Sequence, residues 1–287
     1  MDYLKHYHKM ISLRGLTEHT VKSYSTYISV YLDYIEHHLH KFPSQITWND
    51  IRCFIQWLQK ERNLSDRTMN HCISQIRFFT LYVLHKPWDP YQVPMRRFDT
   101  YLPYVPSQTD TSTFIASFSN LKHKAIISLM YSSGLRVGEV CQLKYEDINR
   151  SRMRIHILKS KNRSDRYAIL SKHALSILTD YWYKNGQPKG YLFPHRDDPD
   201  RPMVSYTVNQ FIYTKEEELK WPHNLTCHSF RHAFGTHLYE NGADLLTIKE
   251  LLGHKSLNST MIYVHMASYT TQTIKSPFDL MGGNSHA

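Results

Sequence analysis

Four separated segments of the chain carry side chains that could do acid–base and nucleophilic chemistry. They comprise residues 133–139 with Arg136, the turn that contains Lys161, the pair His228-x-x-Arg231, and residues 251–254 ending in His254, followed nine residues later by Tyr263. Arginine forks can hold anionic oxygens, histidine and lysine can move protons, and a deprotonated tyrosine is a nucleophile. Taken singly, each segment favours a structural role, such as a salt bridge for Arg136 or a core position for Tyr263.

The 19 histidines raise a metal site as an alternative. His228 and His232 stand at i and i+4, a spacing that can chelate zinc from one helical face. However, Ser229 occupies the place where a zincin has glutamate, and Arg231 puts a cation between the two histidines. We therefore expect neither a metal nor another cofactor, with His232 a packing or capping histidine and His237 partly exposed.

The composition restricts the class of protein. With 287 residues, 41% hydrophobic and 21% charged, the chain can build a core and is not a disordered protein. Its four scattered cysteines fit neither a disulfide framework nor a zinc ribbon, which favours a reducing, cytoplasmic setting. We find no apolar run that could span a membrane and no apolar signal region. A net charge of +10 shared by both halves favours a nucleic-acid partner.

The densest positive charge lies in residues 150–166, where seven cations face one acid, Asp165. The cations are Arg150, Arg152, Arg154, Lys159, Lys161, Arg163 and Arg166. A solvated surface hairpin would explain the pattern, but a face that contacts DNA phosphates fits it better.

Five prolines between residues 86 and 107 predict an extended linker over 87–107. Before it, residues 1–86 show helical periodicity and cap signals at Thr17, Thr47 and Ser65, which predict a bundle of about four helices that begins with a short one over 2–13.

After the linker, residues 108–268 are predicted to form a second, α-rich domain, followed by a tail over 269–287. Residues 153–158 and 166–170 alternate as in a β-hairpin. Helices are predicted over 172–184, 205–220, 228–240, 244–252 and 257–267, with Asp244 as a cap and Gly253 as a stop. A glycine turn opens a further helix that carries Arg136.

Together, the ordered segments resemble the tyrosine recombinase (phage integrase) family, in its simple two-domain form of Xer-like or mobile-element type. The strongest stretches are residues 134–147, 225–240 and 248–267. The resemblance implies a mainly α fold: a helical, SAM-like core-binding domain and an α-rich catalytic domain with a small β-hairpin or sheet.

The resemblance also implies a role for each matching residue. Catalytic roles fall on Arg136, Lys161, His228, Arg231, His254 and Tyr263, with Tyr263 as nucleophile and Glu139 in support. Many members have Gly-Lys-Gly at the hairpin turn, where this chain has Ser160-Lys161-Asn162. Counting back from Asp165 selects Lys161 and leaves Lys159 as a possible substitute.

The implied reaction cuts and rejoins DNA without ATP. Arg136 and Arg231 would neutralise charge on the phosphoryl oxygens, His228 would accept the phenolic proton and His254 would hydrogen-bond the phosphate or the nucleophile. Lys161 would protonate the departing 5′ oxygen. The intermediate is a 3′-phosphotyrosyl ester. A hydroxyl of a second DNA duplex then attacks this ester and releases the enzyme.

The implied partners are double-stranded DNA with paired binding sites and other copies of the chain. A four-subunit synapse would form through the tail, which carries Ile274, Phe278 and Leu280, although a frayed terminus is the alternative. Since the helices begin almost at once, we expect no arm-binding domain and favour integration or transposition of a mobile element, at the nucleoid. The runners-up are a type IB topoisomerase and a non-catalytic DNA-binding regulator on the same fold.

Overall fold

The computed structural model describes residues 2–99, 101–158 and 165–267. The chain forms two compact units, Met1–Thr100 and Tyr101–Ala287. The expectations for Lys159, Lys161, Arg163 and the tail over 269–287 lie outside the described residues.

The regular secondary structure described in unit 1 is entirely helical. Its α-helices are α1 (Tyr3–Ser12), α2 (Glu18–Tyr34), α3 (Trp48–Arg62) and α4 (Asp66–Tyr82), with a π-helical turn at Ile35–Leu39 and a 3-10 turn at Pro43–Gln45. The predicted caps are confirmed, because the side chains of Thr17, Thr47 and Ser65 each accept a hydrogen bond from the backbone N–H three residues on.

The core of unit 1 is aromatic and aliphatic. Tyr7, Ile28, Phe54 and Phe79 are fully buried in it. The one polar group among these side chains, the Tyr7 hydroxyl, donates to Oε1 of Gln75 at 2.8 Å, which satisfies it away from water.

The first half of the proline-rich segment packs onto unit 1. No helix or strand occurs in residues 83–99 or 101–107. Val93 is nonetheless buried in the core of unit 1, and Arg96 pairs with Asp66 and exchanges backbone hydrogen bonds with the Asn70 side chain. These contacts attach residues 93–96 to helix α4.

Unit 2 contains eight α-helices among its described residues. They are α5 (Gln108–Ala116), α6 (Leu121–Ser133), α7 (Val137–Gln142), α8 (Lys172–Lys184), α9 (Ser205–Leu219), α10 (Cys227–Glu240), α11 (Leu245–Leu252) and α12 (Asn258–Met266). Asp244 caps α11 and Gly253 ends it, as predicted. One prediction is wrong in detail, because Arg136 is the N-cap of α7 rather than a residue within a helix.

The predicted hairpin is present as part of a three-stranded antiparallel sheet in the order β1 (Ile148–Asn149), β2 (Arg154–Ile157) and β3 (Arg166–Ile169). Ile155 pairs with Ala168 in the register of β2 and β3, and both face the core. Strand β1 has two residues, so it is too short to be predicted from an alternating pattern in the sequence.

Two apolar clusters hold unit 2 together. The larger joins α5–α9, the sheet and the start of α10. The smaller brings Phe234 of α10, Ile248 and Leu252 of α11 and Tyr263 of α12 into contact. Within the described parts of both units, no helix is long and apolar enough to cross a membrane.

Candidate active site

Arg136 is positioned by a glycine turn between α6 and α7. Gly134 ends α6 with φ +62°, and a Cβ at this position would lie 2.4 Å from the Phe234 ring and 2.7 Å from the Leu252 side chain. Both the left-handed backbone and the close approach therefore require glycine. Two residues later, Arg136 donates from its backbone N–H and from Nη1 to the carboxylate of Glu139, at 2.9 and 2.8 Å.

The Glu139 carboxylate lies at the centre of an arginine cluster. Arg166 donates to it from both Nη1 and Nη2, each at 2.8 Å, and Nη1 of Arg231 lies 3.9 Å from Oε2. Burial alone would raise the pKa of Glu139, but the hydrogen bonds and charges of Arg166 and Arg136 prevail and lower it to about 2. One carboxylate thus stays ionised among three guanidinium groups.

Arg231 is held by backbone carbonyls. Its side chain is buried, and it donates from Nη1 to the Gly134 carbonyl at 2.5 Å and from Nη2 to the Leu252 carbonyl at 2.6 Å. Burial, and next the charge of Arg136, lower its pKa to about 10. The guanidinium is therefore still charged at pH 7 and cannot change rotamer without losing both acceptors.

His254 follows the glycine that ends α11 and stacks against Tyr263. The two ring centroids are 6.2 Å apart with an interplanar angle of 13°, and Nδ1 of His254 lies 3.0 Å from Oγ1 of Thr260. Burial, followed by the charges of Arg231 and Arg136, lowers the pKa of His254 to about 4. The imidazole is therefore neutral at pH 7, able to donate from one nitrogen and accept at the other.

Tyr263 is 1% exposed and lies in the smaller apolar cluster of unit 2. Burial raises the pKa of its phenol to about 12, while Arg231 and then Arg136 act in the opposite direction. The hydroxyl is consequently neutral at pH 7, close enough to both arginines to feel their charge.

The three histidines of α10 differ in exposure. His228 is exposed and lines a cleft together with Arg136, Glu139 and His156. The His232 ring lies 6.3 Å from that of His228 and 6.0 Å from that of Tyr263, and burial lowers its pKa to about 4. His237 was expected to be partly exposed, which is wrong: it is buried, with Nδ1 3.0 Å from the Tyr131 hydroxyl.

The structure thus gathers Arg136, Glu139, Arg231, His254 and Tyr263 in one cluster, with His228 in the adjoining cleft. Lys161 lies outside the described residues.

Of the expected phosphate-facing cations, Arg150, Arg152 and Arg154 are exposed. The expectation that Arg166 faces DNA phosphates is corrected by the structure. Its side chain is 8% exposed and pairs with Glu139, because β3 directs it towards α7 and α11. Gly235 was not predicted as a site residue, although its place inside a helix could have signalled a close approach. In the described parts of the chain, no group of three histidine, cysteine or acidic side chains is placed to hold a metal ion.

Comparison with known proteins yields two family profiles that together span most of the chain. The profile of the phage integrase family matches residues 109–269. The profile described as the phage integrase N-terminal SAM-like domain matches residues 3–90.

Similar individual proteins agree with the profiles. A putative integrase/recombinase, y4qK, of Sinorhizobium fredii is 34% identical over 272 residues, covering 94% of this chain and 86% of the relative. Tyrosine recombinase XerD of Listeria innocua is 27% identical over 291 residues, covering 94% and 96%.

The structure of the Tn1549 transposon integrase in complex with circular intermediate DNA superposes with a TM-score of 0.72 at 18% identity, covering 100% of both chains. A lambda integrase dimer bound to a core site gives 0.70 at 21% identity, covering 91% of this chain and 93% of that one. These likenesses confirm the predicted mainly α fold.

Proposed function

The chain belongs to the phage integrase family and is a site-specific DNA recombinase of the tyrosine type, and we propose that it cuts and rejoins DNA through a 3′-phosphotyrosyl link to Tyr263. The observation that carries the proposal is the convergence of Arg136, Arg231 and His254 on Tyr263. The in-line transition state of phosphoryl transfer concentrates negative charge on the phosphoryl oxygens. Two guanidinium groups, each already held in place by fixed acceptors, can stabilise that charge without having to reorient during the reaction.

In the proposed step, the Tyr263 oxygen attacks the phosphorus as the bond from phosphorus to the 5′ oxygen breaks. The phenolic proton passes to His228, and Lys161 protonates the leaving 5′ oxygen. A 5′ hydroxyl from another strand then attacks the phosphotyrosyl ester, so Tyr263 leaves and one phosphodiester replaces another. The energy of the broken bond is kept in the ester, and no nucleotide cofactor is required.

The buried position of Tyr263 makes DNA binding part of this mechanism. A pKa of about 12 leaves the phenol protonated at pH 7, so a base must take its proton. Because the side chain is 1% exposed, its hydroxyl has to move towards the cleft to reach a phosphate. We propose that the bound phosphodiester, drawn in by Arg136 and Arg231, favours this movement.

A nicked suicide substrate tests the chemistry. Wild-type protein should give a denaturant-resistant protein–DNA adduct, and Tyr263→Phe should give none while still binding DNA. Tyr206→Phe is the matched control, because Tyr206 is 74% exposed and lies outside the cluster. The adduct should persist in EDTA, since the arginines supply the positive charge. An undiminished adduct in Tyr263→Phe, or a loss in EDTA that a divalent ion restores, would contradict the proposal.

Plasmid relaxation and DNA-binding assays separate the neighbouring activities. Relaxation of a supercoiled plasmid without joining of two sites would indicate a type IB topoisomerase. DNA binding without any adduct would indicate a non-catalytic regulator.

We further propose that the enzyme integrates or transposes a mobile element. Support comes from the relative described as a putative integrase/recombinase and from the fold shared with a transposon integrase. The proposed substrate is double-stranded DNA with paired binding sites, contacted in part by the exposed Arg150, Arg152 and Arg154. This role is tested by recombination between plasmids that carry the inverted repeats found beside the gene for this protein. Repeats that do not recombine would contradict it.

A four-subunit synapse is proposed to form through the tail. An apolar groove between α5, α6 and α10 offers a receiving surface in unit 2, with Ile115, Ala116, Phe234 and Leu238 among its lining. Apolar side chains of a neighbour's residues 269–287 would fill this groove. The same contact repeated head to tail closes a ring.

A further inference from the structure

We infer that Arg166 is a positioning residue for recombination, tying Glu139, and through it Arg136, to the turn that carries His254. The inference deepens the proposed function and rests on the role given there to Arg136 and on the position of His254 beside Tyr263. It replaces the expectation that Arg166 contacts DNA.

All three guanidinium nitrogens of Arg166 bind groups of the protein. Nη1 and Nη2 donate to the two oxygens of Glu139, each at 2.8 Å, and Nε donates to the Leu251 carbonyl at 3.0 Å. The side chain is 8% exposed, so little of it faces a DNA backbone. One side chain of strand β3 thereby connects helix α7 to the last turn of helix α11.

The stem of Arg166 also packs against Gly253. A Cβ at Gly253 would lie 2.7 Å from Cδ of Arg166, and the glycine has φ +63°. The arginine therefore lies directly on the backbone of the residue that precedes His254. Any displacement of Arg166 changes the support of this turn.

Glu139 transmits the constraint to Arg136. Its Oε1 accepts from Nη1 of Arg136 and from Nη1 of Arg166, both at 2.8 Å. The position of the carboxylate, and hence of the Arg136 fork, follows from the bidentate pair with Arg166. Lysine could not replace this geometry, because a single ammonium on a flexible stem cannot serve two carboxylate oxygens and a distant carbonyl together.

The test compares Arg166→Lys with Arg154→Lys, since Arg154 lies on the adjacent strand β2 and is exposed. Hydrogen exchange of the free proteins, followed by mass spectrometry, should be several-fold faster in peptides covering 134–142 and 249–257 of Arg166→Lys. Arg154→Lys should match wild type in both peptides. Unchanged exchange in Arg166→Lys would overturn the inference.

Catalysis supplies a readout that separates positioning from binding. Arg166→Lys should bind one-site DNA with nearly wild-type affinity, while single-turnover cleavage at saturating DNA should fall by about tenfold to a hundredfold. In an Arg136→Ala background, Arg166→Lys should slow cleavage less than it does in wild type, because the part of its effect that passes through Glu139 is already lost. Cleavage at the wild-type rate, or defects that multiply, would overturn the inference.

Two further arms keep the result decisive. If Arg166→Lys does not fold, NMR of wild-type protein labelled with ¹⁵N-arginine takes its place. A slowly exchanging Nε–H of Arg166 supports the hydrogen bond to Leu251, and the absence of such a signal overturns the inference. A wild type that forms no adduct overturns the proposed function and any role of Arg166 in the reaction, while the exchange experiment still decides whether Arg166 links the two segments.

Discussion

The Tyr263 ring lies directly against the backbone of Gly235, so that a Cβ at Gly235 would be 2.5 Å from Cζ of Tyr263. Helix α10, which carries Gly235, also carries His228 and Arg231. The helix that supplies two proposed catalytic side chains therefore also leaves room for the proposed nucleophile.

Substituting Gly235 should disturb both stability and chemistry. Alanine favours a helix over glycine by about 1 kcal/mol, but overpacking a filled interior costs about 1–3 kcal/mol. We expect Gly235→Ala to lower the free energy of unfolding, measured with urea, and to slow adduct formation. In the stability measurement Gly138→Ala is the control, because nothing lies within 4 Å of a Cβ there, and it should be at least as stable as wild type. Equal stability of the two variants, with full adduct formation by Gly235→Ala, would contradict the packing argument.

The Glu139 cluster predicts a specific acid sensitivity. The pKa of Glu139 falls from its ordinary 4.5 to about 2 in the folded protein. Its ionised form therefore stabilises the fold fully above pH 4.5, and this contribution, about 3 kcal/mol, is lost as the pH drops from about 4.5 to about 2. Glu139→Gln should be less stable at pH 7 and lose less stability over that interval.

Urea unfolding at a series of pH values checks this expectation. Glu146→Gln serves as the control, because the Glu146 side chain is 73% exposed, and it should follow the wild-type curve. A Glu139→Gln curve parallel to wild type between pH 4.5 and 2 would show that the carboxylate is not the acid-sensitive group.

The lysine of the hairpin turn can be identified through its leaving group. Lys161→Ala should slow cleavage strongly on an ordinary phosphodiester and much less on a substrate with a 5′-bridging sulfur, because sulfur leaves without a proton. Cleavage rates of both substrates measure the rescue. Lys159→Ala is the matched variant. If the sulfur substrate rescues Lys159→Ala but not Lys161→Ala, the general acid is Lys159 rather than Lys161.

Assembly should depend on the tail and on its proposed groove. Each apolar side chain of the tail that becomes fully buried contributes about 1.5–3 kcal/mol. Deleting residues 270–287 should leave binding to one-site DNA nearly intact and weaken the two-duplex complex and recombination, as seen in native gels. Ala116→Glu, which places a charge on an exposed position of the groove, should act like the deletion. Wild-type synapsis by both variants would remove the tail from assembly.

Features that are encoded locally can be predicted from the amino-acid sequence alone. Thr17, Ser65 and Asp244 were recognisable as helix caps because a cap needs only its own side chain and the next three backbone groups. The order of Arg136, His228-x-x-Arg231, His254 and Tyr263 likewise indicated the family before any contact was known. The helical bundle and the hairpin followed from periodicity, which is also a local property.

Which charged side chains are buried depends instead on the packing of the folded chain. Arg154 and Arg166 lie in the same basic stretch, on the adjacent strands β2 and β3 of one sheet. Arg154 is nevertheless exposed, whereas Arg166 is bound to Glu139, 27 residues earlier in the chain. An alternating pattern shows that two faces exist, but it cannot show which helix covers one of them. Gly235 and Tyr263 meet for the same reason: a close approach between α10 and α12 depends on how whole helices pack, not on the spacing of residues along either one.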